Sequence, residues 1–251
     1  MAKQRHLRNA PIVEALIDIR TTTPVDFDVA RFTMLPKTLE QRFPRAEALR
    51  AFSGGFEIDG QLQQIRSHTV NQGILGYLYR SETNDRVLQA RKDGFTFSKL
   101  QPYEDWSKLR SEAVELWDMY VSVAKPEQIS RLALRYINRL NIPTTSGKFD
   151  FDEYFTAAPQ VPEGLPQAIS GFLYRVHLPN PEINAAAIIH QALEPASSPS
   201  MVTVLLDIDV FVHQTFAPSD RTMMGAFEHL HDFKNKIFFE YITEKTAEIF
   251  Q

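Results

Sequence analysis

The chain has 251 residues, no cysteine, and 27 Lys and Arg against 31 Asp and Glu, a formal net charge of −4 at pH 7. That length suits one large domain, or one domain of two similar halves, and is enough to bury a core without covalent staples. The composition excludes disulfides, thiolate metal sites and cysteine nucleophiles, and its acidic balance disfavours whole-surface attraction to nucleic acid or anionic lipid.

The start, MAKQRHLRNAPIVEALIDIR, is basic and then apolar. Glu14 and Asp18 interrupt the apolar run and no small-residue cleavage site follows, so it does not read as a signal peptide. No stretch approaches about 18 apolar residues, so no membrane-spanning helix is expected and the reading is cytoplasmic. PIVEALIDIRT alternates: Val13, Ala15, Ile17 and Ile19 on one face, Glu14, Leu16, Asp18 and Arg20 on the other. That is a strand with one charged face. FDVARFTMLPKTLEQRF reads as helix, with Pro36 splitting it or opening a second one. AFSGGFEIDG and QLQQIRSHTV read as short strands. GILGYLYRSETNDRVLQARKDGFTFSKL reads as a three-stranded meander, turning at Asn84-Asp85 and Asp93-Gly94. In YEDWSKLRSEAVELWDMYVSVAK, residues Trp106, Leu109, Ala113, Leu116 and Tyr120 follow a helical period and are expected in the core.

RLALRYINRLNIP places Arg131, Arg135 and Arg139 four residues apart. A step of four keeps side chains together on a helix and, being even, on a strand as well. The apolar residues fit either period, so periodicity alone does not separate helix from strand. FDFDEYF then reads as a short helix and APQVPEGLP as a proline-rich connection. AISGFLYRVHL, NAAAIIHQALE and MVTVLLDIDVFV read as three strands. The last element is a long helix with Ser219 as N-cap and a stripe of Met223, Phe227, Leu230, Phe233 or Lys234, Ile237 and Tyr241. Its Phe238, Phe239 and Tyr241 suggest a dimer or partner interface, and Thr243 caps a final turn.

The order strand, helix, strands, long helix occurs twice. The expected fold class is therefore α+β: an antiparallel sheet with two long helices packed on it, in one domain over residues 1–251, with pseudo-repeats at 10–125 and 126–251 as a duplicated unit.

The motifs APIVEALIDIR, RLALRYINRLNIP and LHDFKNKIFFEYIT together resemble a sporadically distributed bacterial family of uncharacterised proteins, over about residues 10 to 245. The resemblance implies a bacterial source and a patchy, mobile or defence-associated genomic setting. It implies no activity. The family's central motif often has Gly where this chain has Ala133, which suits a strand better than a helix.

As a strand, the central motif aligns three guanidinium groups that need partners. Glu14 and Asp18 on the first strand, and Asp207 and Asp209 in LLDIDVF, are the candidate carboxylates. Three readings follow: a structural salt-bridge layer; a pocket in which spare arginines bind an anionic ligand or nucleotide; or a hard-metal site on the four carboxylates serving phosphoester chemistry. Arginines compete with a metal for the same oxygens, which weighs against the third. His229 and His231 lie two apart on a helix, point to different sides, and are read as surface or capping groups. No phosphate loop, nucleophile elbow or zinc motif occurs, and FSGGF lacks the lysine and spacing of such a loop. No cofactor is implied. The expected function is a non-enzymatic binding or partner protein, in contact with a protein partner or a second copy, with nucleic acid not favoured.

Overall fold

A computed structural model describes residues 1–34, 37–59, 64–144, 149–195, 198 and 200–251, with backbone only at 37–38, 51–59 and 64–72. In chain order come β1 (Ile12–Thr22), a 3-10 turn (Val29–Met34), α1 (Lys37–Arg42), β2 (Arg45–Asp59), β3 (Gln64–Arg80), β4 (Arg86–Arg91), β5 (Gly94–Leu100) and α2 (Trp106–Ala124). The second half holds β6 (Gln128–Pro143), α3 (Phe151–Tyr154), β7 (Leu173–Asn180), a 3-10 turn (Pro181–Ile183), β8 (Ala185–Glu194), β9 (Met201–Val212), α4 (Met223–Tyr241) and α5 (Glu244–Ile249).

The nine strands form one antiparallel sheet, in the order β2-β3-β4-β5-β1-β6-β9-β8-β7. The class is α+β. β1 and β6 lie side by side at the centre, and each is flanked on its other side by the last strand of its own half, β5 or β9. RLALRYINRLNIP is thus a strand, paired on both edges. A central strand uses both rows of backbone groups, and β-branched or aromatic residues such as Ile129, Tyr136 and Ile142 fit its pleat.

Helices α2 and α4 cover one face. α2 lies over β5 and β1, and α4 over β6 and β9. Ala15, Ile17, Ile19, Phe95, Phe97, Leu132, Leu134, Tyr136, Ile208 and Val210 pack there beneath Leu116, Trp117, Tyr120, Phe227 and Leu230, all buried. α2 starts where Asp105 accepts a hydrogen bond from the Lys108 N–H at 2.9 Å, and stops at Lys125, left-handed at φ 46°.

Several local expectations change. The helix read around residues 27–43 is a 3-10 turn followed by the short α1, and Pro36 lies outside the described residues. AFSGGFEIDG and QLQQIRSHTV, read as short strands, fall in the long β2 and β3. Ser219 does not cap α4: that helix begins at Met223, and Asp220 accepts from the Thr222 N–H at 2.8 Å in the turn before it. Of the residues read as a dimer or partner interface, Tyr241 is half-buried, and Phe238 and Phe239 are buried. The first residues of the chain run over them, with the Ala2 N–H donating to Phe239 O and the Asn9 N–H to Phe250 O, each at 3.0 Å. Thr243 does cap α5, accepting from the Thr246 N–H. Among the described residues, no helix is long and apolar enough to cross a membrane.

Candidate functional site

Two clusters of charge use the two faces of β6. The first lies on the face away from the helices. Antiparallel register brings Asp18 of β1 opposite Ala133 and Thr96, and Asp209 of β9 opposite Arg135. Arg131 reaches between strands, donating to Asp18 at 3.3 Å and to Asp209 at 3.2 Å, and its guanidinium lies 4.6 Å from the Phe211 ring centroid. Asp18 is the hub: it also accepts from Arg20 at 3.0 Å, Arg91 at 3.3 Å and the Thr96 hydroxyl at 2.7 Å. Arg135 makes a two-pronged contact with Asp207, at 2.8 and 2.6 Å, and His190 Nδ1 lies 3.4 Å from the same carboxylate. Arg139 crosses over β9 to Glu194 of β8 at 2.8 Å.

The structure therefore brings together Arg131, Asp18 and Asp209, and Arg135 with Asp207. It gives Arg139 a partner, Glu194, that the sequence did not single out. Glu14 makes no direct ion pair among the described residues; it acts on Arg135 only through its field. The hydrogen bonds that Arg135 donates to Asp207 hold its guanidinium above its ordinary pKa. Burial pushes the Asp209 carboxyl above 3.8 despite the attraction of Arg131 and Arg135. Each of the three arginines has a carboxylate, and none lines the cavities of about 590, 510 and 400 Å³ found among the described residues. Asp18, Asp207 and Asp209 are engaged by arginines, and no group of three or more acidic, His or Cys side chains is placed to hold a metal among the described residues.

The second cluster lies on the helix-covered face, in the cavity of about 510 Å³ between residues 4–12, residues 103–106, β6 and α4. A bulge shapes its floor. Ile12 pairs with Asn138 while Glu14 pairs with Ile137, so Val13 is extra and Ile12 turns toward the helices beside Asn138. Asn138 is buried and donates to Leu206 O at 3.0 Å. Against this floor stands Lys234 of α4, only 7 % exposed. Its Nζ lies 3.8 Å from the Tyr136 ring centroid and donates to Asn235 Oδ1 at 2.5 Å. No carboxylate pairs with it among the described residues. The hydroxyls of Tyr136 and Tyr103 are hydrogen-bonded at 2.8 Å, and His231 stacks on Trp106 at 4.8 Å between centroids. On the opposite wall, Arg5 donates from Nη1 to Glu244 at 2.7 Å, yet its Nε is buried with no acceptor among the described residues.

Burial alone drives Lys234 from 10.5 down to about 7. Burial, and then the charge of Lys234, lowers His231 to about 4, so the imidazole is neutral near pH 7. Burial holds Tyr136 well above 10 and raises Tyr103 to about 12, so both hydroxyls keep their protons. His231 is thus a half-buried wall of this cavity, not the surface or capping group expected. Trp106 is half-buried at the cavity wall, where a position in the core was expected. One signal for the cavity was present in the sequence: a lysine at an apolar-stripe position of the last helix. Arg5 and Asn138 gave none, because their placement depends on how the N-terminal segment and the bulge fold. No protein-family model matches this chain, and no curated protein matches it.

Proposed function

We propose that this is a non-enzymatic binding protein whose ligand is a small anion held in the cavity beside Lys234. The observation that carries the reading is an ammonium group buried with no carboxylate partner among the described residues. Such burial costs several kcal/mol, and a cation–π contact with Tyr136 offsets up to about 2 kcal/mol of it. A fold has no structural reason to retain that cost, whereas an anion entering the cavity repays it. Arg5, which lines the same cavity, adds a second positive charge. The anion reading therefore belongs to this cavity and not to the face of Arg131, Arg135 and Arg139, whose charges are already matched; that face is read as a structural salt-bridge layer. The resemblance to the bacterial family supports a bacterial source. The adjacency of β1 and β6, each beside the last strand of its own half, supports two diverged copies of one unit.

The test is thermal unfolding with a panel of phosphates, nucleotides and small carboxylates, on the wild type and on Lys234→Met. A ligand at 100 times its Kd stabilises by about 2.7 kcal/mol. The expected result is at least one anion that raises the wild-type Tm and leaves Lys234→Met unmoved. No shift with any anion, or equal shifts in both proteins, overturns the reading.

A second reading, of a protein partner, rests on β7. It closes one end of the sheet with its outer edge unpaired among the described residues, and Leu173, Tyr174, Val176 and Leu178 are all exposed. An exposed apolar edge is a template for strand addition. The fitting occupant is an extended partner segment with apolar residues facing Tyr174, Val176 and Leu178 and acidic ones between them, facing Arg175. An alternating Glu-Val peptide is expected to bind the wild type in fluorescence anisotropy, and Val176→Lys more weakly; equal binding of a Lys-Val peptide overturns it.

A further inference from the structure

The side chain that sets the proposed anion site is a primary amine, and its surroundings do more than attract charge. An ammonium meant to stay charged is normally ringed by acceptors. Among the described residues Lys234 Nζ has one, Asn235 Oδ1, with the flat face of Tyr136 on another side. The cavity in which it stands measures about 510 Å³, room for a small organic molecule and more than a lone inorganic ion needs. A desolvated lysine of this kind is the type of amine that condenses with carbonyl groups, because at neutral pH a large share of it is unprotonated.

We infer that Lys234 captures a small anionic carbonyl compound, a keto acid or an aldehyde bearing a carboxylate or phosphate, as an imine on Nζ. This rests on the proposed anion site and names its ligand class. The neutral Nζ attacks the carbonyl carbon; the new C–N bond forms as the C=O π pair moves to oxygen. A proton passes from nitrogen to that oxygen, giving a carbinolamine. The hydroxyl then leaves with a second proton as the C=N bond forms, so the two amine hydrogens and the carbonyl oxygen depart as one water. Tyr103, on the cavity wall, carries a neutral hydroxyl suited to passing protons to the departing oxygen. The ligand's anionic group faces Arg5 and the exposed Arg8 of the N-terminal wall. No oxidant or metal is required, and the capture is reversible by water.

The test uses the wild-type chain with millimolar pyruvate or glyoxylate and borohydride, which reduces an imine to a stable secondary amine, followed by peptide mapping by mass spectrometry. The expected result is one adduct on the peptide holding Lys234, formed ahead of the exposed Lys3, Lys236 and Lys245, and slowed by excess oxalate. Adducts spread over exposed lysines, with Lys234 unlabelled, overturn the inference. Oxalate, which has no ketone or aldehyde, separates the two readings: if it raises the Tm while pyruvate and glyoxylate leave Lys234 unlabelled, the covalent step fails and the anion site stands. If no anion of the panel raises the Tm and Lys234 is unlabelled, both fail.

Discussion

Along β6, alternate side chains serve two opposed arrangements of charge. Arg131, Arg135 and Arg139 point to the face away from the helices, where each meets a carboxylate. Tyr136 and Asn138 point to the other face, where they line or support a cavity whose lysine meets none. The paired face can be explained by folding alone: matched charges fix the register of β1, β6, β9 and β8. The lysine, with no carboxylate partner among the described residues, costs stability and specifies no register. This contrast separates a scaffold from a site more sharply than charge or burial does, because both clusters hold buried charge.

The largest effect is expected where the paired face is most interconnected. Asp18 accepts from Arg20, Arg91, Arg131 and Thr96. Removing one partner of a buried pair leaves uncompensated charge, so Asp18→Ala is expected to lose about 3–5 kcal/mol in guanidinium unfolding. A loss below about 1 kcal/mol would mean that the arginines find solvent or other acceptors, and the paired face would cease to be a register device.

Lys234 is expected to respond with the opposite sign. Its pKa is about 7 when folded against 10.5 when exposed, so between those values the unfolded chain binds more protons. Wild-type stability then rises with pH across that window, by at most about 1.4 kcal/mol per unit. The burial penalty is fully present below about pH 7. Above about pH 10 the raised pKa values of Tyr103, Tyr120 and Tyr136 turn the slope downward, because the unfolded tyrosines ionise first. Chemical unfolding between about pH 7 and 9.5 isolates the lysine. Lys234→Met is expected to be more stable than wild type at pH 7, by about 2–4 kcal/mol, and to lack most of the slope. A variant less stable than wild type would make Lys234 a structural group and erase the contrast.

Much of this architecture is legible in the sequence. Alternation marks β1 and β9, and the turns at Asn84 and Gly94 mark the hairpins, Asn84 adopting φ 57°. The carboxylates Asp18, Asp207 and Asp209 are visible as members of one strand face each. Which arginine each one meets is not, since a strand shows only its own period and not its neighbour's register. Arg91 and Glu194 were missed for that reason: they enter the layer from β4 and β8. The bulge at Val13 is equally hidden, because an extra residue leaves the alternation of Glu14 to Arg20 intact. Lys234 was visible as an ambiguity in a helical stripe, and that ambiguity was the signal: a stripe position occupied by a charge is either a misread face or a site.

The smallest effect tests whether the paired face weakens toward its open end. Side-chain exposure of the three arginines climbs from 20 % at Arg131 to 41 % at Arg135 and 49 % at Arg139. Glu194, the partner of Arg139, is itself 27 % exposed and reaches it across an intervening strand. An exposed pair gains little over solvation and is screened by salt, so Glu194→Ala is expected to cost about 0–1 kcal/mol, and the difference from wild type is expected to vanish near 1 M salt. The Asp18 variant should keep most of its loss at the same salt, because its arginines lie deeper. If Glu194→Ala cost as much as Asp18→Ala, the layer would act as one cooperative network and not as a graded series of pairs, and Arg139 would owe its position to the fold as fully as Arg131 does.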